Sequence, residues 1–450
     1  MSRVALIGEN SVEYIDVLLN IWNSGNCAVL LDWRIPARIS VKMMLEANVE
    51  LCFVQEKFYS KIVECNSNSN IKIVPYLSST NQVSLLPLNI YDRYRENYSQ
   101  DEAVVIYSSG TTGNSKGIIL SHYAINTNAD AIIDYMKPTS NDCIYMVKTI
   151  SHASCLTGEL VVALKTHTPL LIAPIIVPPR YTLTNVTKYN VTIMCINPTL
   201  LQMYMLEYDH NRMKYDLSSL KEIYVHGAKA NVRLIQDART VFHTISIYYE
   251  YGLTEAGPRV TTQKISSHSI DSVGKPINNV QVKVINCFGQ DSPKNTYGNV
   301  HINTSAKYSG YISGNTKFQS LYNNWLNTGD IGYFDDNDEL HIVGRVDDVI
   351  IINAHKIYPS EIESCIISYT SIKECTVTKV NYNNEDIVAC LYVGDHECTT
   401  IKEILKSYLM SFEIPRLFVK CDELPRTDNG KISAIKIREY IHNIIPGVKI

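Results

Sequence analysis

Several things are missing from this 450-residue chain, and each absence narrows what it can be. Neither sign of charge dominates. With 41 Lys and Arg against 45 Asp and Glu, the net charge of −4 gives no electrostatic footing for nucleic acid or an anionic membrane surface. The 12 cysteines include no Cys-x-x-Cys pair and no His/Cys ligand spacing. That argues against a disulfide scaffold or a zinc site, and for free thiols in a reducing compartment, best the cytoplasm. Long hydrophobic runs are absent too. The longest, LLIAPIIV at 170–177, is too short to span a bilayer, and the N-terminal MSRVALIGENSVEYIDV lacks a basic region followed by an unbroken apolar stretch. No membrane insertion is expected. Phe is scarce, 8 beside 30 Tyr, a compositional bias that carries no functional reading. No repeat signals a solenoid.

What is present is a donor-rich stretch at 107–117, Tyr-Ser-Ser-Gly-Thr-Thr-Gly-Asn-Ser-Lys-Gly, directly after the apolar run AVVIY. A strand is predicted to empty there into a loop, with a helix starting at Ser121. Gly110, Gly113 and Gly117 permit positive φ and close backbone approach, the hydroxyls of Ser108, Ser109, Thr111 and Thr112 add donors, and Lys116 adds positive charge. Such a loop suits a nucleotide polyphosphate. It is not a Walker loop, because the lysine is followed by Gly117 and the glycine spacing differs.

Around it the chain alternates strand-like and helical segments: VALI at 4–7, a helix over 11–22, CAVLL at 27–31, a helix after Pro36, LCFV at 51–54, and a loop at 64–70. Strands are predicted near 143–147, 168–173, 192–196, 222–225 and 244–249, with Asn197-Pro198 opening a helix. This is βαβ grammar and implies parallel sheet with helices on its faces. From 272 to 345 short alternating runs predict antiparallel sheet. Residues 348–450 predict a hairpin, a helix from Pro359, two strands at 373–393, a helix at 400–410 and a basic helical end. The fold class is α/β, with parallel-type subdomains and a small antiparallel β subdomain at 1–346, then a small α+β domain at 347–450.

Four further stretches follow in order: Tyr251-Gly252-Leu253-Thr254-Glu255, Leu326-Asn-Thr-Gly-Asp330, Gly344-Arg345-Val-Asp347-Asp and Leu424-Pro-Arg-Thr-Asp-Asn-Gly-Lys431-Ile. Singly, each is compatible with a solvated carboxylate, a turn or a surface ion pair. Together with the loop at 107–117, the set and its order resemble the adenylate-forming superfamily of acyl- and aryl-CoA synthetases, peptide-synthetase adenylation domains and luciferases.

That resemblance implies ATP-dependent conversion of a carboxylic acid to an acyl-adenylate, with transfer to a phosphopantetheine thiol. The loop would hold the β- and γ-phosphates, Glu255 would ligate Mg²⁺, Tyr251 would lie against adenine, and Asp330, assisted by Arg345, would accept from the ribose hydroxyls. Tyr249, Glu250, Gly252 and Thr254 would complete the nucleotide site. Gly227-Ala228-Lys229 would run between adenine and the acyl group. Lys431 would bridge the carboxylate and α-phosphate oxygens, and rotation about Asp347 would exchange it for the stretch 349–356, including Lys356, in the second half-reaction.

In amino-acid-activating relatives an Asp pairs with the substrate ammonium; here the comparable stretch is Ile150-Ser151-His152-Ala153-Ser154. This disfavours an α-amino acid and makes His152 either a pocket-flanking group or a hydrogen-bonded core residue. The resemblance also marks departures: a short N-terminal region before Arg3, Tyr249 where Asn is common, and Ala354 where Gly is usual, adding a methyl to the pantetheine tunnel. The implied partners are a small aryl or acyl acid, and CoA or a separate acyl or peptidyl carrier protein, since nothing after Ile432 holds a Gly-x-Asp-Ser attachment pattern. The alternatives are an amino-acid adenylation enzyme loading a carrier, a non-catalytic nucleotide- or acyl-binding relative, and an oxidative, light-emitting relative.

Overall fold

A computed structural model describes residues 1–67, 69–78, 83–108, 116–174, 178–230, 232–266, 270–312, 324–352, 355–426 and 432–449. The βαβ reading of the N-terminal region holds. Arg3–Gly8 lies between Cys27–Asp32 and Val49–Gln55, parallel to both. The crossover helix Val12–Asn23 is capped by the Ser11 hydroxyl, which accepts from the Tyr14 amide, and buries Ile15, Leu18 and Leu19 at helical spacing. The second crossover helix, Ala37–Glu46, follows Pro36 as expected. The helix Glu56–Cys65 takes the first two residues of the expected 64–70 loop.

One expectation of this sheet is corrected. Lys116–Ser121 is a strand, antiparallel to Glu102–Ser108, and Gly310–Tyr311 pairs with its far edge, so the sheet is mixed, not purely parallel. The run Gly117-Ile-Ile-Leu120 is short and abuts the helix cap Ser121, so local pattern merges it with helix His122–Met136. Pairing with Val104–Tyr107 decides it.

The second sheet positions the site. Ile144–Met146, Leu170–Ile172, Ile193–Ile196, Glu222–Val225 and Ser246–Tyr251 are its parallel strands, close to the predicted positions. Antiparallel strands complete it, Thr261–Lys264 with Lys275–Pro276 beyond it on one side and Ser84–Leu85 on the other. Four of the parallel strands are almost wholly buried, Ser246–Tyr251 buries Ile247, Tyr249 and Glu250, and all but that one are rich in Ile, Val, Met and Leu, as a sheet covered on both faces requires. Their carboxyl ends deliver Lys148, Asn197, His226 and Gly252 to one edge, the usual ligand side of such a sheet.

The expected antiparallel subdomain is the sheet Val280–Ile285, Gly298–Thr304, Leu326–Phe334 and Leu340–Arg345. Beyond it come the hairpin Ile350–Ile352 with His355–Ile357, the helix Pro359–Tyr369, and the paired strands Glu374–Tyr382 and Glu385–Val393. The helix expected at 400–410 is shorter, Cys398–Leu405, and the helical end Ala434–Ile444 is followed by an unexpected strand, Val448–Lys449, on Asn381–Tyr382. Among the described residues, no buried apolar cluster spans both sides of residues 344–349. All 12 cysteines are free, and no described helix is long and apolar enough to cross a membrane.

Candidate functional site

A cleft of about 1380 Å³ opens at the carboxyl edge of the second sheet and gathers most of the residues singled out in the sequence. His152, Lys116, Gly227, Ala228, Lys229, Tyr249, Glu250, Tyr251, Gly252, Thr254, Glu255, Asp330 and Arg345 all line it. Asp347 does so as well, from the short helical turn Val346–Asp348. Lys356 does not line it: it sits exposed on the hairpin strand His355–Ile357. Ser109, Gly110, Thr111, Thr112, Gly113 and Lys431, with the side chain of Ser108, lie outside the described residues.

At one end the strand register gathers a carboxylate, a guanidinium and a phenol. Asp330 pairs with Arg345 across adjacent strands, and the Arg345 Nη1 lies 3.6 Å from Asp330 Oδ1. The Tyr251 hydroxyl donates to Asp330 Oδ2 at 2.5 Å. Burial raises the Asp330 carboxyl above the usual carboxylate range, even though Arg345 and the Tyr251 hydrogen bond favour its charged form. Gly329 is required here: its φ is +74°, and a Cβ would meet the Arg345 guanidinium at 2.9 Å. Beyond the hydrogen bonds from the Tyr251 and Thr328 side chains, the carboxylate has lone pairs with which it can still accept from a diol.

The neighbouring segment is braced from within. Tyr249 places its hydroxyl where the Ala230 amide donates to it at 2.7 Å, so this tyrosine fixes the Gly227–Ala230 segment. Lys229 donates to the Val343 carbonyl at 3.1 Å, and burial lowers its pKa. The Glu250 carboxylate is committed to a buried ion pair with Arg259 at 2.7 Å and a hydrogen bond from Tyr135. Gly252 packs directly on the backbone of Pro258 and Arg259, where a Cβ would overlap the Pro258 carbonyl oxygen. Gly252→Ala should therefore displace Tyr251. The expected outcome is a lowered Tm by thermal unfolding; a wild-type Tm would contradict it.

At another part of the cleft, the Glu255 carboxylate accepts from the Tyr311 hydroxyl at 3.0 Å through Oε1, and Lys116 Nζ stands 5.7 Å from the Tyr311 ring centroid. Glu255 thus keeps a carboxylate oxygen beyond the Tyr311 hydrogen bond, as a hard divalent cation requires.

On the other side of the Gly227 segment the cleft is lined by His152, Lys148, Thr149, Asn197 and His226. His152 is exposed to it and stands near the Asp32–Arg34 pair, which settles the open alternative against a core histidine. Lys148, Glu159, His226 and Arg259 form a buried network that sequence reasoning missed. A signal existed for one of them: Glu159 is the single charge in the apolar run at 156–164, Leu-Thr-Gly-Glu-Leu-Val-Val-Ala-Leu.

Comparison with known proteins places this geometry. A family model described as AMP-binding enzyme matches residues 1–312. The 4-coumarate–CoA ligase 4 of Arabidopsis thaliana is 27% identical over 366 residues, covering 77% of this chain and 63% of that protein. The fatty acid–[acyl-carrier-protein] ligase ScoC of Streptomyces coeruleorubidus is 23% identical over 460 residues, covering 97% of this chain and 86% of that one. ATP-bound MatB from Rhodopseudomonas palustris superposes with a TM-score of 0.86 at 21% identity, over 98% of this chain and 89% of that one, a likeness of fold.

Proposed function

We propose that this chain, which belongs to the AMP-binding enzyme family, activates an aryl or acyl carboxylic acid as its adenylate and passes it to a phosphopantetheine thiol. The observation that carries the reading is the Tyr251–Asp330–Arg345 station, set in one cleft with Glu255 and, across the Gly227 segment, with a chamber that could take an acid.

In the first half-reaction a carboxylate oxygen attacks the α-phosphorus of ATP, the bond to the β-phosphate oxygen breaks, and pyrophosphate leaves. Asp330 accepts from the ribose, Tyr251 lies against adenine while holding Asp330, and Lys116 faces the phosphates. Glu255 would hold Mg²⁺, which supplies charge neutralisation for the leaving pyrophosphate. Lys431 supplies an ammonium to the oxygens where charge builds at the pentavalent phosphorus. In the second, a thiolate adds to the acyl carbonyl and AMP departs.

Separate apolar cores on either side of residues 344–349 support a hinge at Asp347, about which the C-terminal domain would exchange Lys431 for the 349–356 segment. The relatives include both a CoA ligase and a carrier-protein ligase, so either thiol is a candidate acceptor.

Asp330→Ala should weaken nucleotide binding more than tenfold while leaving the fold intact, because it removes the acceptor for the ribose diol. Binding of AMP by calorimetry beside a melting curve checks this, and unchanged affinity would remove Asp330 from the site. The activity itself is tested by pyrophosphate release, with Mg²⁺ and ATP, over benzoates, short and long fatty acids, and amino acids. Release with one aryl or acyl class supports the proposal. Silence throughout with ATP binding retained would favour a non-catalytic binding role.

A further inference from the structure

The buried network beside the Gly227 segment crowds two cationic donors onto one histidine. Lys148 Nζ lies 2.8 Å from His226 Nε2 and 3.0 Å from Glu159 Oε1. Arg259 Nη2 lies 2.7 Å from the same His226 nitrogen, while its Nε pairs with Glu250. Two cationic donors therefore converge on one imidazole nitrogen, which has one lone pair to offer. Burial, then Arg259, then Lys148, holds the His226 pKa far below its usual value, so the ring is neutral. An ammonium has three N–H groups. Lys148 has two partners in the network and lines the cleft with 11% of its side chain exposed, so donor capacity remains towards the chamber.

This floor is built, not incidental. Asn10 clamps the strand end that carries Lys148, donating to the Lys148 carbonyl at 2.7 Å and accepting from the Ile150 amide at 2.9 Å. Glu159 is fully buried on a π-helical turn, Leu156–Val161, a rare form that recurs at functional sites. Gly158 in that turn leaves room for Arg259, whose Nη2 would stand 3.1 Å from a Cβ there. The placement fits an acyl substituent. Lys229 reaches the Val343 carbonyl beside the Arg345 end, and His226 lies three residues back, at most about 10 Å along the chain.

We infer that the acid activated here carries a neutral oxygen acceptor, a hydroxyl or carbonyl, at the end remote from its reacting carboxylate, and that Lys148 beside His226 selects for it. The inference rests on the activation reading above. Charge decides among the substituents. Lys148 and Arg259 are matched by Glu159 and Glu250, so a second carboxylate would bring an unmatched negative charge to a neutral floor. An ammonium would bring an unmatched positive charge to the same neutral floor and would face Lys148, which donates and cannot accept. A purely apolar end would cover Lys148 and strand its remaining donor without water. The clustered Glu159, Cys195 and His226 do not form a cation site, because Lys148 and Arg259 already stand against two of these groups.

The test is pyrophosphate release from matched acids on a benzoate and a hexanoate scaffold: unsubstituted, bearing a hydroxyl or keto oxygen at the far end, and bearing a second carboxylate there. On the scaffold that turns over, the neutral oxygen-bearing acid should show kcat/KM at least about tenfold above both others, chiefly through KM. An equal or better unsubstituted acid, or a preferred dicarboxylate, overturns the inference while leaving activation standing. In Lys148→Met/Glu159→Gln, which removes both charges of the pair together, the advantage should shrink to within about twofold. A retained tenfold preference in that variant would acquit Lys148. If the double variant does not fold, the wild-type ranking alone decides. No release from any acid would overturn the activation reading, and the inference with it.

Discussion

Lys431→Ala should slow acyl-adenylate formation by roughly 10²–10³-fold, while a supplied acyl-adenylate is still converted to thioester. The asymmetry follows from where charge develops. In the first half-reaction negative charge gathers on oxygens around phosphorus, and a positioned ammonium lowers that barrier. In the second the electrophile is already an activated anhydride, and the proposed rotation about Asp347 has withdrawn Lys431. Pyrophosphate release reads the first half, and loss of the synthetic adenylate in the presence of thiol reads the second. Equal losses in both would sink the assignment of Lys431 and the two-position cycle with it.

The largest effect on stability is expected at Arg259. Its guanidinium is buried, paired with Glu250 at 2.7 Å and bonded to His226, while its backbone exchanges hydrogen bonds with the Asn128 side chain. Arg259→Ala leaves Glu250 as an unmatched buried carboxylate, with only the Tyr135 hydroxyl to stabilise its charge. The cost should be about 3–5 kcal/mol. Thermal unfolding should register it as a Tm lower by about 3–7 °C. Arg259→Met with Glu250→Gln removes both charges and should recover part of that loss, so the two substitutions are not additive. A Tm within about 2 °C of wild type for the alanine variant would show that the pair is not isolated from water.

The tyrosine excess, without function in the composition, acquires specific work in the structure. Tyr249 holds Ala230, Tyr251 holds Asp330, Tyr311 holds Glu255 and Tyr135 holds Glu250. Phenylalanine could fill these volumes but could not bond to the polar groups beside them. The strand at Lys116–Ser121 was illegible for a different reason. Its apolar run suits strand or helix start equally, and only a partner strand distinguishes the two.

The sequence by itself determined the chemical inventory and its order: the glycine- and hydroxyl-rich stretch, Tyr251 to Glu255, Asp330, Arg345 and Lys431, and the alternation that makes α/β layers. Those signals are local, because turn chemistry, capping and apolar periodicity act within a few residues. Only the tertiary structure decided which charges meet. Lys148 and His226 are 78 residues apart, and Arg259 reaches that same histidine from 33 residues away. They meet because crossover connections bring the carboxyl ends of non-consecutive strands to one edge, and no pattern within a strand records its neighbours. The convergence of Lys148 and Arg259 on His226 exists only once that order is set.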